Sequence, residues 1–301
     1  MSATSVLYDT PGVRAKRRNI IYTIVFLAVL ALAAWWALAV MAEKQQLAAE
    51  KWSPFVTDSK VWTTYLLPGL GETLRAAALA ILIALPLGAL LGIGRLSDHA
   101  WIRTPVGVVV EFFRAIPVLL MMVFAAQLYT QFTDVSSDLR PLYAVVTGLV
   151  LYNASVMAEI VRAGILSLPR GQTDAANAIG MRKGQTMSYV LLPQAVTAML
   201  PALVSQLVVI VKDTALGGAI LGFSELLSQG RTITANYGAN TIATFTVIAL
   251  IYIALNFLLT TFAGWLEQRL RQGKKSTGAV LSADDVQQAS APGRAPDGGG
   301  A

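Results

Sequence analysis

The sequence predicts an all-α protein, a polytopic bundle of membrane-crossing helices. Two observations of composition and one of arrangement predict it. Of 301 residues, 55% are hydrophobic and 13% charged, against a charged share of about 25% in soluble domains. Six long stretches, 20–42, 76–94, 115–133, 141–158, 185–211 and 232–266, hold no Asp, Glu, Lys or Arg. A transmembrane helix needs about 20 apolar residues, because each rises about 1.5 Å through a hydrocarbon layer about 30 Å thick. The predicted spans are 20–42, 73–96, 107–131, 141–164, 191–217 and 240–266.

The elements follow in order. Residues 1–19 are a basic N-terminus carrying Arg14, Lys16, Arg17 and Arg18, and 20–42 is the first span. Its 23 apolar residues exceed the roughly 7–15 of a signal-peptide core, so an uncleaved anchor is expected. Residues 43–65 form an extracytoplasmic loop, 66–268 the main transmembrane domain, and 269–301 a cytoplasmic tail. From Gly273 onward the tail is rich in Gly, Pro, Ser and Ala, a composition that cannot bury a core, and it is expected to be disordered.

Orientation comes from the basic residues, which cytoplasmic loops hold in excess. With the N-terminus inside, the cytoplasmic segments hold fourteen Lys and Arg and the outer loops five, namely Lys44, Lys51, Lys60, Arg140 and Arg231. Both termini are therefore expected in the cytoplasm. The net charge of +6 is spent on this asymmetry and leaves no basic stripe for nucleic acid. With no cysteine and a single histidine, His99, a disulfide framework, a thiolate metal site and an imidazole cluster are excluded. Within the spans, Gly88 and Gly92 have the spacing that lets a second helix approach closely, best explained as packing. Pro86, Pro117 and Pro201 should bend their helices.

The cytoplasmic loop 168–193 is unlike a passive connector. Pro169 and Gly171 break the helix before it, Thr173 can cap a new N-terminus, Asp174 suits a positive first turn, and Gly180 suits a left-handed C-terminal position. A helix of about two turns is marginal alone, so it should dock onto something. On the residues alone, lipid headgroups are an equal candidate for that surface.

The spacing of this loop resembles the EAA loop of permease subunits of ATP-binding-cassette importers. That pattern runs Glu-Ala-Ala, three residues, Gly, nine residues, Ile, one residue, Leu-Pro. Here Asp174-Ala175-Ala176 is followed by Gly180, Val190 and Leu192-Pro193 at the same intervals, with Asp for Glu and Val for Ile. Other segments are similar to the polar amino acid permeases: 71–75, 111–117, 158–165, 192–195 and 212–216. The N-terminal Val6-Leu7-Tyr8-Asp9 and the additional first helix look similar to the glutamate permeases of actinobacteria.

The resemblance implies a five-helix importer core plus one N-terminal helix, with a cytoplasmic coupling helix. It implies contact with the ATPase through Gln172, Asp174, Ala175, Ala176, Gly180, Leu192 and Pro193. It implies no cofactor on this chain: there is no GxxxxGK[ST] phosphate loop, and ATP and Mg would sit on a separate ATPase. Expected partners are cytoplasmic ATPase subunits, a second permease subunit, either a related chain or a copy, an extracytoplasmic substrate-binding protein, and the lipid bilayer. The expected location is the bacterial cytoplasmic membrane, and the implied cargo glutamate or another polar amino acid.

Charges inside a bilayer cost about 2.5–3.5 kcal/mol on insertion scales, so they face the bundle and are usually paired. Glu111 with Arg114, and Glu159 with Arg162, stand three apart and can pair on one helix face. Each pair reads as an internal ion pair or as part of a translocation pathway or gate, together with Pro117. Lys212 and Asp213 are adjacent, on different faces, and Lys212 could attract a substrate carboxylate. Thr214 follows them. Asn153 and Gln206 fit interhelical hydrogen bonding. The competing reading is an ion-gradient-coupled secondary transporter, which also needs polar residues and broken helices but no docked helix.

Overall fold

The computed structural model describes residues 12–272, and the described residues form helices and turns without a strand. The segment 6–9 and the tail from Gly273 lie outside the described residues.

The helices are α1 (Val13–Glu43), α2 (Ala49–Trp52), α3 (Pro54–Thr57), α4 (Leu67–Gly94), α5 (Ala100–Ala115), α6 (Val118–Phe132), α7 (Arg140–Leu166), α8 (Arg170–Ala178), α9 (Lys183–Gln185), α10 (Leu192–Ile220), α11 (Leu226–Asn236) and α12 (Thr241–Gln272). Single π-helical stretches, Val61–Leu66 and Thr186–Leu191, lead into α4 and α10. Five helical runs are long and apolar enough to cross a membrane, and the bent pair α5 and α6 makes a sixth.

The third expected span, 107–131, is not one helix. Its two halves meet at 99° across Ile116-Pro117. Proline has no amide hydrogen and drives the residue before it out of the helical region; Ile116 accordingly sits at φ −90°, ψ 130°. Pro86 and Pro201 stay inside α4 and α10. α1 is longer than expected because Arg14 to Arg18 form its first turns, and it buries none of its residues. Trp35 and Trp36 are among its exposed side chains, as suits a helix whose solvent is lipid. α12 runs past the expected end at 266, to Gln272.

The chain forms two compact units. One comprises the described parts of Met1–Ala78, Ala125–Val145 and Asp213–Ile253. Its core is Phe55, Val61, Leu66, Leu226, Ile233, Ala243 and Ile248. The loop after α1 is laced to the turn before α12: Gln46 donates to the Ala239 carbonyl, Lys51 to the Gly238 carbonyl, and Tyr237 to Asp58 at 2.7 Å. Glu225 is fully buried and caps α11, accepting from the amides of Leu227 (2.6 Å) and Ser228 (2.7 Å) and from the Tyr252 hydroxyl (2.9 Å). Gly218 has to be glycine because a Cβ there would overlap the Glu225 carboxylate.

The other unit comprises Leu79–Phe124, Val146–Lys212 and the described part of Ala254–Ala301. Val161, Ile165, Ala195 and Met199 form its buried cluster, flanked by Ile93, Leu96, Leu168 and Met187. Gly88 and Gly92 do the packing their spacing predicts. A Cβ on Gly88 would lie 2.6 Å from Met157 Cβ, and one on Gly92 2.6 Å from the Ala158 carbonyl oxygen, so α4 meets α7 backbone to backbone.

A short capped helix and an arginine-centred charge cluster

α8 is the two-turn helix predicted in loop 168–193, but it starts earlier than expected. Pro169 is the N-cap and Arg170 the first residue, so Thr173 is not the cap and Asp174 is outside the first turn. Pro169, at φ −57° and ψ 132°, presets the chain for helix entry, and its carbonyl accepts the Gln172 amide at 3.0 Å. Gly171 is helical and does not break the chain.

The C-terminus is as predicted. Gly180 adopts φ +78°, and two bonds close the end: Gly180 amide to Asn177 carbonyl (3.0 Å) and Met181 amide to Ala176 carbonyl (3.1 Å). This is the Schellman arrangement, which satisfies carbonyls the helix would leave unpaired. Among coupling candidates, Ala176 is buried, whereas Gln172, Asp174, Ala175 and Gly180 are exposed. Ile179 adds an apolar side chain that is 79% exposed. Gln194, one residue beyond Leu192-Pro193, donates to the Gln172 side chain at 3.2 Å and to the Val190 carbonyl at 2.9 Å. The start of α10 thereby holds the start of α8.

Four of the pathway candidates come together around a residue that in the sequence counted only toward topology. Arg95, just past α4, reaches Glu159 at 2.8 Å and Glu111 at 3.0 Å. Glu159 also binds Arg162 at 2.6 Å, and Glu111 binds Arg114 at 3.4 Å. Both predicted i,i+3 pairs exist, and one guanidinium ties them together. Arg95, Glu111 and Arg162 line an open cleft of about 690 Å³ with Arg103 and Phe112. Pro117 stands at the α5–α6 break. Asn153, fully buried, accepts from Gln206 at 2.6 Å, so two residues marked separately for interhelical hydrogen bonding bond to each other. Lys212, Asp213 and Thr214 are on α10: Lys212 is exposed, Asp213 half-buried and Thr214 buried.

Two further residues escaped sequence reasoning. Glu225 was legible in principle, as an acidic residue before Leu226 and the run of α11. Lys183 counted only toward topology, yet its ammonium binds Asp98 and the Leu96 carbonyl.

Among the described residues, five helical runs and one bent pair long and apolar enough to cross a membrane, with a short closed-ended helix between two of them, define a polytopic helical membrane protein. Residues 84–272 match the family described as the binding-protein-dependent transport system inner membrane component, and the chain belongs to that family. It is 49% identical over 229 residues to the glutamate transport system permease protein GluD of Corynebacterium glutamicum, spanning 76% of this chain and 83% of that one. It is 31% identical over 219 residues to the glutamine transport system permease protein GlnP of Escherichia coli strain K12, spanning 71% and 97%. Among solved structures it resembles an amino acid ABC transporter crystallised with histidines, with a TM-score of 0.62, 28% identity, and coverage of 69% of this chain and 95% of that one. The chain is the non-enzymatic transmembrane component of an importer, multi-pass in the inner membrane, and components of this kind work with an ATPase and a substrate-binding protein.

Proposed function

We propose that this chain is the permease subunit of an ATP-driven importer for glutamate or a closely related polar amino acid, and that α8 is its lever. The observation that carries the lever is α8 itself: nine residues held at one end by Gln194 and closed at the other by Gly180, with Gln172, Asp174, Ala175 and Ile179 left exposed. An isolated helix this short melts in water, so one with both ends fixed suits a groove on a partner. The 49% identity to a glutamate permease supports the cargo.

In this reading the basic loops face the cytoplasm, both termini included. ATP and Mg²⁺ reside on the ATPase, and this chain carries no cofactor. Closure of two ATPases would push α8, and with it Leu192-Pro193 at the head of α10. The cluster of Arg95, Glu111, Arg114, Glu159 and Arg162 would act as a gate: it joins α5 and α7 through charge pairs that a displacement of either helix must stretch. Pro117 supplies the joint in the third span. Lys212, Asp213 and Thr214 on α10, and Asn153 with Gln206, would line or brace the pathway. The second permease subunit would be a related chain or a second copy.

Uptake of radiolabelled L-glutamate into proteoliposomes holding the complex purified from its native membrane, with a binding protein outside and ATP inside, tests this. Import that needs ATP and survives collapse of ion gradients agrees with it. Import driven by an ion gradient without ATP would make the chain a secondary transporter.

A further inference from the structure

We infer that Lys183 is a positioning residue that clamps the coupling segment to the α4–α5 corner, so that motion of α8 reaches the Arg95 charge cluster. The inference rests on the lever reading above and adds the connection by which the lever acts.

Lys183 opens α9, three residues after the left-handed Gly180 that ends α8. Its backbone is held in place: the Gln185 side chain accepts the Arg182 amide at 2.9 Å. From there the ammonium makes two contacts 85 and 87 residues back in the chain, the Asp98 carboxylate and the Leu96 carbonyl, the latter at 3.1 Å. Both acceptors belong to the short corner between α4 and α5. Leu96 adjoins Arg95, whose guanidinium holds Glu159 on α7 and Glu111 on α5. One side chain thus joins the end of the coupling segment to the corner that directly follows Arg95, the residue on which the two pairs converge.

The clamp is not redundant with packing. Leu96 and Met187 pack against the buried cluster on one side, but Lys183 and Asp98 also line an open cleft of about 430 Å³ walled by Ile93, Ile102 and Met187. At that cleft the Lys183 hydrogen bonds add to the packing that holds the two segments. Lys183 and Asp98 are 52% and 73% exposed, and exposed ion pairs contribute little to stability. Binding to Lys183 nevertheless keeps the Asp98 carboxyl below its ordinary titration range. A contact that adds little stability but joins two segments that must move together suits transmission.

The test measures ATP hydrolysed per L-glutamate imported by the assembled complex in proteoliposomes, for unaltered protein, Lys183→Ala, Lys183→Arg, Asp98→Asn, the single reversals Lys183→Asp and Asp98→Lys, and the two reversals combined. The expected result is a ratio raised by about 1.4- to fivefold in Lys183→Ala, the range open to an exposed ion pair, with the ATPase still bound. Lys183→Arg should hold the unaltered ratio, and Asp98→Asn should give a smaller rise because the Leu96 contact survives. The exchange should recover part of the coupling that the single reversals lose, and in every variant the complex should stay assembled with its ATPase, which a merely structural role would not give. An unchanged ratio in Lys183→Ala, or an exchange no better than its single reversals, overturns the clamp while leaving the lever standing. Import by the unaltered complex that proceeds without ATP removes both.

Discussion

Gly180 is where the lever account is most exposed to test. Its φ of +78° lies where a side chain costs roughly 1–2 kcal/mol, and a Cβ there meets nothing within 4 Å. Substitution by alanine therefore acts through backbone strain alone and disturbs no packing. Roughly 1–2 kcal/mol is about a five- to thirtyfold shift in the balance between the closed Schellman end and a frayed one. In a helix of nine residues fraying of the last turn removes much of its docking surface. The expected order of damage is Gly180→Val worst, then Gly180→Ala, with Gly180→Asn mild because Asn tolerates the left-handed region. Gly171, inside the helix and also free of neighbours, provides the opposite sign: Gly171→Ala should stabilise α8 by about 0.5–1 kcal/mol and partly restore Gly180→Ala. Amide hydrogen exchange over 170–178 reads the helix, and ATPase retention with L-glutamate import reads the consequence. If Gly180→Asn is as damaging as Gly180→Val, or if protection falls while import and ATPase retention do not, the reasoning is wrong.

Other substitutions test the remaining structure. Gly92→Ala puts a methyl 2.6 Å from the Ala158 carbonyl oxygen and should cost about 1–3 kcal/mol as overpacking, seen as a lower Tm in detergent; an unchanged Tm would mean that α4 and α7 are not in that contact. Gln206→Leu strands the Asn153 side-chain oxygen and should cost about 0.6–2 kcal/mol, while Asn153→Leu combined with it should cost less than the sum of the single changes, as thermal unfolding can show. The Tyr237–Asp58 bond holds the Asp58 carboxyl below 3.8 and pushes Tyr237 up to about 12. The lowered carboxyl stabilises the loop after α1 above its ordinary value, and that contribution disappears as pH falls through the lowered one. The raised phenol contributes below 10 and loses its effect as pH rises through about 12. Fluorescence of Trp52 and Trp62 should respond in both windows, and Tyr237→Phe should abolish both responses.

Much of this arrangement was legible before folding because membrane helices obey a one-dimensional rule. Length and lack of charge locate a span whatever it packs against, and Gly180 declared its left-handed turn by residue type. The failures have physical causes too. Hydropathy cannot distinguish a straight span from one turned by 99°, since both have the same composition; only the pre-proline geometry at Ile116 does. Thr173 looked like a cap because its hydroxyl could accept an amide, but Pro169 starts the chain into helix earlier and Gly171 tolerates the helical conformation. Arg95 and Lys183 were read as topology charges. Their partners lie 64 and 85 residues away for Glu159 and Asp98, and no local spacing reports a contact made only once α4, α5, α7 and α9 are in place. The same limit hid the Tyr252 hydroxyl from Glu225, although the acidic residue before α11 was in view.

The most direct measurement is L-glutamate import by the purified, reconstituted complex with ATP present and ionophores abolishing every ion gradient, beside the same vesicles with gradients intact and ATP withheld. The account predicts import in the first condition, none in the second, and loss of the first in Gly180→Val while the permease remains folded in the bilayer. Import in the second condition, unaffected by Gly180→Val, would contradict it.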